Sequence, residues 1–308
     1  MLFARRLKRV AMNGIIIIDK PQNFTSFDVV AVMRKLFSQK KIGHAGTLDP
    51  MATGVLPILL GSATKAQDMF PDSNKEYVAG FKLGITTDTL DITGEILSRS
   101  NSSVKRSQVE EKLNYFKGNI KQMPPMYSAL KKDGKKLYEL ARKGIEVQRE
   151  KRDVYIQEIE LINFDEKEQT GTIRVLCSKG TYIRSLCDDL GSELGCGAVM
   201  TKLRRTMACG FRIEESISID EAKGFAKMDK LKDKIISVDK IFSLYPSIRV
   251  SDAQAKRFKN GGSLDLMRTI IKSNYRDKEK FRVYSQEEFL GLGITSREKE
   301  QLLIYKLF

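Results

Sequence analysis

Residues 43–65 read GHAGTLDPMATGVLPILLGSATK, and this stretch organises the first half of the chain. Asp49 precedes Pro50, whose ring disfavours the α region at the residue before it, so the aspartate is expected in an extended conformation. Gly43 and Gly46 permit positive φ and let a ligand approach the backbone closely. His44 lies five residues before Asp49. The apolar run Val55–Leu60 that follows reads as a buried strand. A carboxylate is thereby fixed in a glycine-lined loop between a helix and a strand. The plainer reading is an aspartate that only caps its loop. Neither a Walker A nor a dinucleotide-binding fingerprint occurs, so phosphate-cradling nucleotide sites have no support.

Upstream, Ile15–Ile18 between Gly14 and Asp19 predict a short strand buried on both faces. Thr25-Ser26-Phe27-Asp28 fits a capping box, with Thr25 as N-cap and Asp28 three residues on. The helix it opens, about 26–38, places Phe27, Val30, Ala31, Met33 and Phe37 at roughly helical spacing. Downstream, strands are predicted at 76–83, 153–163 and 171–178, and helices at 107–117, 135–143 and 181–194. Strands and helices mix without a regular βαβ period. The fold class expected is α+β, with a mixed, largely antiparallel central sheet flanked by helices. No internal repeat or low-complexity tract is present.

Ser243-Leu244-Tyr245-Pro246-Ser247 marks a boundary. Beyond it lies a compact β-rich unit, 244–308: Ile248-Arg249-Val250, a helix over 252–259 ended by Asn260-Gly261-Gly262, then strand-like Phe281–Tyr284, Glu288–Leu292 and Leu302–Tyr305. So small a unit folds only marginally alone and is expected to pack against the main body. Residues 1–12 are basic and acid-free. They read as a leader, an organelle presequence, an upstream start or a cloning remnant, with Met12 preferred as the functional start.

The 308 residues carry 54 Lys and Arg against 39 Asp and Glu, a net charge of +15, enough length for about two domains. No apolar run approaches the ~20 residues of a membrane span. A single histidine excludes multi-histidine metal sites, and Cys177, Cys187, Cys196 and Cys209 form no C-x-x-C pair. Such sparse cysteines are expected as buried reduced thiols, which favours a cytoplasmic protein. The surplus of positive charge points to a polyanion. Residues 131–152 carry nine basic side chains against four acidic, with Tyr127 and Tyr138 close by, and the last 64 residues carry thirteen against eight. Basic side chains neutralise phosphates and interleaved aromatics offer faces for unstacked bases, so RNA is favoured.

The stretch 43–65 closely resembles the signature of the TruB family, the bacterial tRNA pseudouridine-55 synthases. Other segments agree in order: Lys20-Pro21 with Thr25-Ser26; Lys75-Glu76-Tyr77; Gly84 with Thr87–Asp91; Pro124–Ala129 with Leu137-Tyr138; Gly180-Thr181-Tyr182-Ile183-Arg184-Ser185-Leu186; and Leu203–Thr206 as a late strand. The resemblance spans about 13–308, and unit 244–308 is similar to a PUA domain, an RNA-binding β-barrel. One departure is Asn23, where the family usually has glycine; asparagine tolerates left-handed φ, so the turn is expected to survive.

The resemblance implies the pseudouridine synthase fold over 13–243, with an RNA-gripping insertion at about 118–152. It implies isomerisation of uridine to pseudouridine in the tRNA T-loop by base flipping, without cofactor or metal. Asp49 is then the nucleophile, attacking either the uracil ring or the ribose. Arg184 pairs with it, and Tyr77 stacks on the flipped base and removes its proton. Tyr182 and Leu203 shape the pocket, His44 fills the space the base vacates, and Lys20 holds backbone phosphate. The T-stem-loop of tRNA is the expected partner, and a monomer the expected state. Two rivals share some of these features: a non-catalytic RNA-binding or tRNA-folding protein, and a hydrolase using a carboxylate pair.

Overall fold

A computed structural model of the protein describes residues 11–101 and 103–308. The leader reading therefore lies almost wholly outside the described residues. Met12 is tied down, its amide donating to Gln39 Oε1 at 2.8 Å.

The main body is built on a ten-stranded sheet. Its order runs Ile217–Ser218, Gly14–Lys20, Thr53–Leu60, Ala198–Ala208, Lys75–Leu83, Thr170–Cys177, Arg152–Asp165, Gly118–Gln122. Ile42–His44 pairs with Thr53–Leu60, and Phe211–Arg212 with Ala198–Ala208. Only two of these pairings are parallel, Gly14–Lys20 with Ile217–Ser218 and Thr53–Leu60 with Ala198–Ala208. The expected α+β class with a largely antiparallel sheet is what the chain forms.

Four consecutive isoleucines explain how the first strand is covered. Ile15 and Ile17 pack with Phe242 and Leu292, while Ile16 and Ile18 pack with Val29, Val30 and Met33. Each fully buried isoleucine contributes about 2–3 kcal/mol by leaving water. The helix Ser26–Phe37 lies over the second face, with the capping box formed as expected. Two residues of the predicted stripe face outward: Ala31 is exposed, and Phe27, 67% exposed, sets its ring edge-on to His44, with centroids 5.8 Å apart.

Two predicted elements are corrected. The helix expected at 135–143 begins only at Leu137 and ends at Ala141. Asp133 and Gly134 both adopt positive φ, closing a two-residue turn that pairs Lys131 with Lys136 and Lys132 with Lys135. The helix expected at 107–117 runs Arg106–Asn114, and Gly118 at φ +95° opens an unforeseen strand. Ala198–Ala208, foreseen only in part, is an eleven-residue strand at the sheet's centre.

Residues beyond 246 form a separate five-stranded, curled sheet: Ser247–Val250, Lys280–Ser285, Glu288–Ser296, Gln301–Leu307, Leu264–Asp265. It has its own core around Phe258 and Val283. As expected for so small a unit it is docked: Phe289 and Phe308 stack on each other and meet Phe242 of the main body. All four cysteines are free, with Cys177 and Cys187 buried but Cys196 and Cys209 partly exposed. Among the described residues no helix is long and apolar enough to cross a membrane.

Candidate active site

The Asp49 loop is held from both sides. Ser26 Oγ accepts from the Leu48 amide at 2.9 Å and donates to the Leu48 carbonyl at 3.3 Å. Asn23, at φ +65°, takes the left-handed conformation its side chain tolerates, and its amide donates to the Pro50 carbonyl at 2.8 Å. The substitution for glycine therefore leaves the turn intact.

Lys20 corrects the sequence reading. Its side chain is fully buried, and its ammonium donates to the carbonyls of Phe24, Pro21 and Pro50 at 2.6, 3.0 and 3.3 Å. It cannot reach a phosphate; it ties the turn at 21–24 to the residue after Asp49. Burial lowers its pKa to about 8, opposed by the negative charge of Asp49.

Across from Asp49 lies Arg184, in the first turn of the helix Ile183–Glu193. The apolar stripe Ile183, Leu186, Cys187 and Leu190 seats this helix on the sheet and carries Arg184 inward. A cation at a helix N-terminus opposes the macrodipole, so it needs anionic company. One Nη of Arg184 lies 3.0 Å from Asp49 Oδ2, and the other lies 3.9 Å from Asp91 Oδ2. The guanidinium also donates to the Tyr127 and Thr89 carbonyls at 2.7 and 3.1 Å. Asp91 is itself fixed by Thr89 and by the amide and hydroxyl of Thr93. The Arg184 side chain is 6% exposed and that of Asp49 40%, so the pair presents its carboxylate outward.

That carboxylate faces a cavity of about 250 Å³ whose walls include Asp49, Tyr77, Tyr182, Arg184 and Leu203. Five of the seven predicted site residues thus converge on one space. Tyr77 comes from the strand Lys75–Leu83 and is buried, which pushes its phenol up to about 12. Tyr182 is held by a reciprocal pair: its amide donates to Gln122 Oε1 at 2.8 Å and its carbonyl accepts from Gln122 Nε2 at 3.0 Å. His44 is outside the lining, on the strand Ile42–His44, with Nδ1 buried and unpartnered. Burial first, and then Arg205, lower its pKa, so the ring is neutral at pH 7.

Sequence reasoning gave no role to Asp91, Gln122 or Arg205. The last is fully buried on the central strand and donates to the carbonyls of Val55, Gly46 and Thr47 at 2.8, 2.9 and 3.5 Å. A capping-box pattern, Ser218 to Glu221, marked the helix Ile219–Lys227 and was also passed over. Among the described residues no three His, Cys, Asp or Glu side chains gather as a metal site.

The mixed sheet that carries this arginine-paired aspartate is shared with solved structures of one class, the pseudouridine synthase fold. The protein aligns with a chain of a crystallised Cbf5–Nop10–Gar1 complex at 27% identity and TM-score 0.72, covering 96% of this chain and 84% of that one. A chain from an H/ACA RNP bound to a substrate RNA containing 2′-deoxyuridine shares the fold, with TM-score 0.71, 24% identity and coverage of 96% and 84%. Residues 34–183 match the N-terminal domain of the TruB family of pseudouridylate synthases, and residues 184–243 match the tRNA pseudouridylate synthase B C-terminal domain. The chain belongs to the TruB family. It is 45% identical over 299 residues to the tRNA pseudouridine synthase B of Clostridium tetani, covering 96% of this chain and 99% of that one. It is 42% identical over 298 residues to that of Clostridium kluyveri, covering 96% and 100%.

Proposed function

We infer that the protein converts uridine to pseudouridine in tRNA, at position 55 of the T-loop, acting as a monomer in the cytoplasm. The observation that carries this is the Asp49–Arg184 ion pair at 3.0 Å, placed at the mouth of a pocket walled by Tyr77, Tyr182 and Leu203. A nucleophilic carboxylate must be ionised, and a cation in contact favours that form.

The target base leaves its stack and enters the pocket between the aromatic and apolar walls. Asp49 attacks uracil C6 or ribose C1′, and the bond between N1 and C1′ breaks. The base turns, C5 bonds to C1′, and the bond that Asp49 made to the substrate breaks, returning the free carboxylate. C5 then loses its proton, with Tyr77 as the candidate to take it, while N1 gains one. Atoms and electrons balance without oxidant, reductant or water. The exposed lysine hairpin at 131–136 and the docked C-terminal unit, with its PUA-like composition and charge, supply phosphate contacts.

The test uses purified protein and unmodified tRNA tritiated at uracil C5, counting tritium released to water. Wild type should release it and a folded, tRNA-binding Asp49→Ala variant should not. Binding without release by wild type would leave an RNA-folding protein instead.

A further inference from the structure

Arg205 is a fully buried guanidinium with no carboxylate in ion-pair reach among the described residues. A charge taken out of water without a counter-ion is costly, and an apolar side chain of similar length would fill the space more cheaply. Stability alone therefore gives no reason for an arginine here.

Its surroundings do. Arg205 occupies the strand between the two that carry the site. It pairs directly with Tyr77 on one side and with Gly54 on the other. From there Nε reaches the Val55 carbonyl, and the terminal nitrogens reach those of Gly46 and Thr47, bracketing the loop that holds Asp49. The charge of the guanidinium also acts on Tyr77, opposing the rise that burial gives its phenol. The loop is shaped to admit it: a Cβ on Gly54, at φ +106°, would lie 2.1 Å from the Arg205 carbonyl oxygen, and one on Gly46, at φ +75°, 3.3 Å from Nη1.

We propose that Arg205 is a positioning residue for the reaction, one rigid fork that holds the Asp49 loop against the strand of Tyr77 and fixes the separation of nucleophile and base. This rests on the roles given above to Asp49 and Tyr77. A guanidinium beside Tyr77 favours negative charge on the phenol oxygen when its proton is lost. The same charge acts on its neighbours: after burial, Arg205 is the next cause lowering both His44 and Lys75.

The experiment compares wild type, Arg205→Lys and Arg205→Met, each checked for a cooperative melt. It measures tRNA affinity by filter binding and single-turnover pseudouridine formation on tRNA carrying hydrogen or deuterium at uracil C5. Expected for Arg205→Met are affinity within about threefold of wild type, a rate lower by about 10²-fold, and a larger C5 isotope effect, because proton removal now limits the rate. Arg205→Lys keeps the charge and loses the fork, so it should recover part of the rate. A slower variant with an unchanged isotope effect would mean loop support alone and would overturn the proposal. So would wild-type rates in both variants, or failure of both to fold. No pseudouridine from wild type would instead sink the functional reading itself.

Discussion

The pair Ser26 and Thr25 separates holding the fold from holding the site. Ser26→Ala removes a buried hydroxyl that serves both backbone groups of Leu48, at 2.9 and 3.3 Å. It leaves an amide and a carbonyl without partners in a closed space. At about 1–3 kcal/mol for the amide and less for the longer carbonyl hydrogen bond, the loss comes to about 2–3 kcal/mol. For a chain of this size that lowers Tm by about 3–5 °C. Leu48 adjoins Asp49, so slack there displaces the carboxylate, and a displacement of about 1 Å costs about 10²-fold in rate. Thr25→Ala, one residue away, removes only the helix cap, in which Thr25 Oγ1 accepts from the Asp28 amide at 3.1 Å. It should cost about 1 kcal/mol and leave the rate within twofold. Calorimetry and single-turnover tritium release on the two variants check this. A Ser26→Ala protein with reduced Tm and full rate would refute the claim that this hydroxyl positions Asp49. One with wild-type Tm would refute the energetic argument.

Arg184→Lys keeps a charge but cannot reproduce the guanidinium's simultaneous bonds to Asp49 and to the Tyr127 and Thr89 carbonyls, so tritium release should slow by about 10²-fold while tRNA affinity holds. Lys20→Met should reduce rate without altering the slope of log affinity against log salt, because its buried ammonium meets only carbonyls. Alanine at Lys132 and Lys135, exposed on the hairpin, should lower that slope by about 0.7–0.9 for each phosphate no longer neutralised. Burial, and then Asp188, raise the Asp189 carboxyl from 3.8 to about 6. The folded state then binds this proton more tightly than the unfolded one, so the carboxyl destabilises the fold increasingly as pH rises from about 4 to 6. Asp189→Asn should therefore raise Tm at neutral pH and leave it unchanged near pH 4; equal gains at both would contradict the assignment.

Much was legible along the chain because the physics there is local. The capping box at Thr25, the left-handed turn at Asn23 and the doubly buried isoleucine strand each depend on neighbours a few residues away. The Asp-Pro loop and the apolar strand after it were equally readable, and family resemblance supplied the seven candidate site residues. Five of them share one pocket. Sequence could not say which lysine stays in water: Lys20 looks like any basic residue beside a proline until the turn at 21–24 closes over it. Nor could it reveal that Phe27 turns outward to His44, or that Asp133-Gly134 makes a hairpin where the lysines and leucines around it read as helix. The role of Arg205 was hidden for the same reason. The carbonyls it holds lie about 150 to 160 positions away, and only the strand order, which sets Ala198–Ala208 between the strands of Tyr77 and Gly54, brings them within hydrogen-bond reach. Local chemistry chose the loop, the caps and the nucleophile; which charges are buried and what they hold was decided by pairing across the sheet.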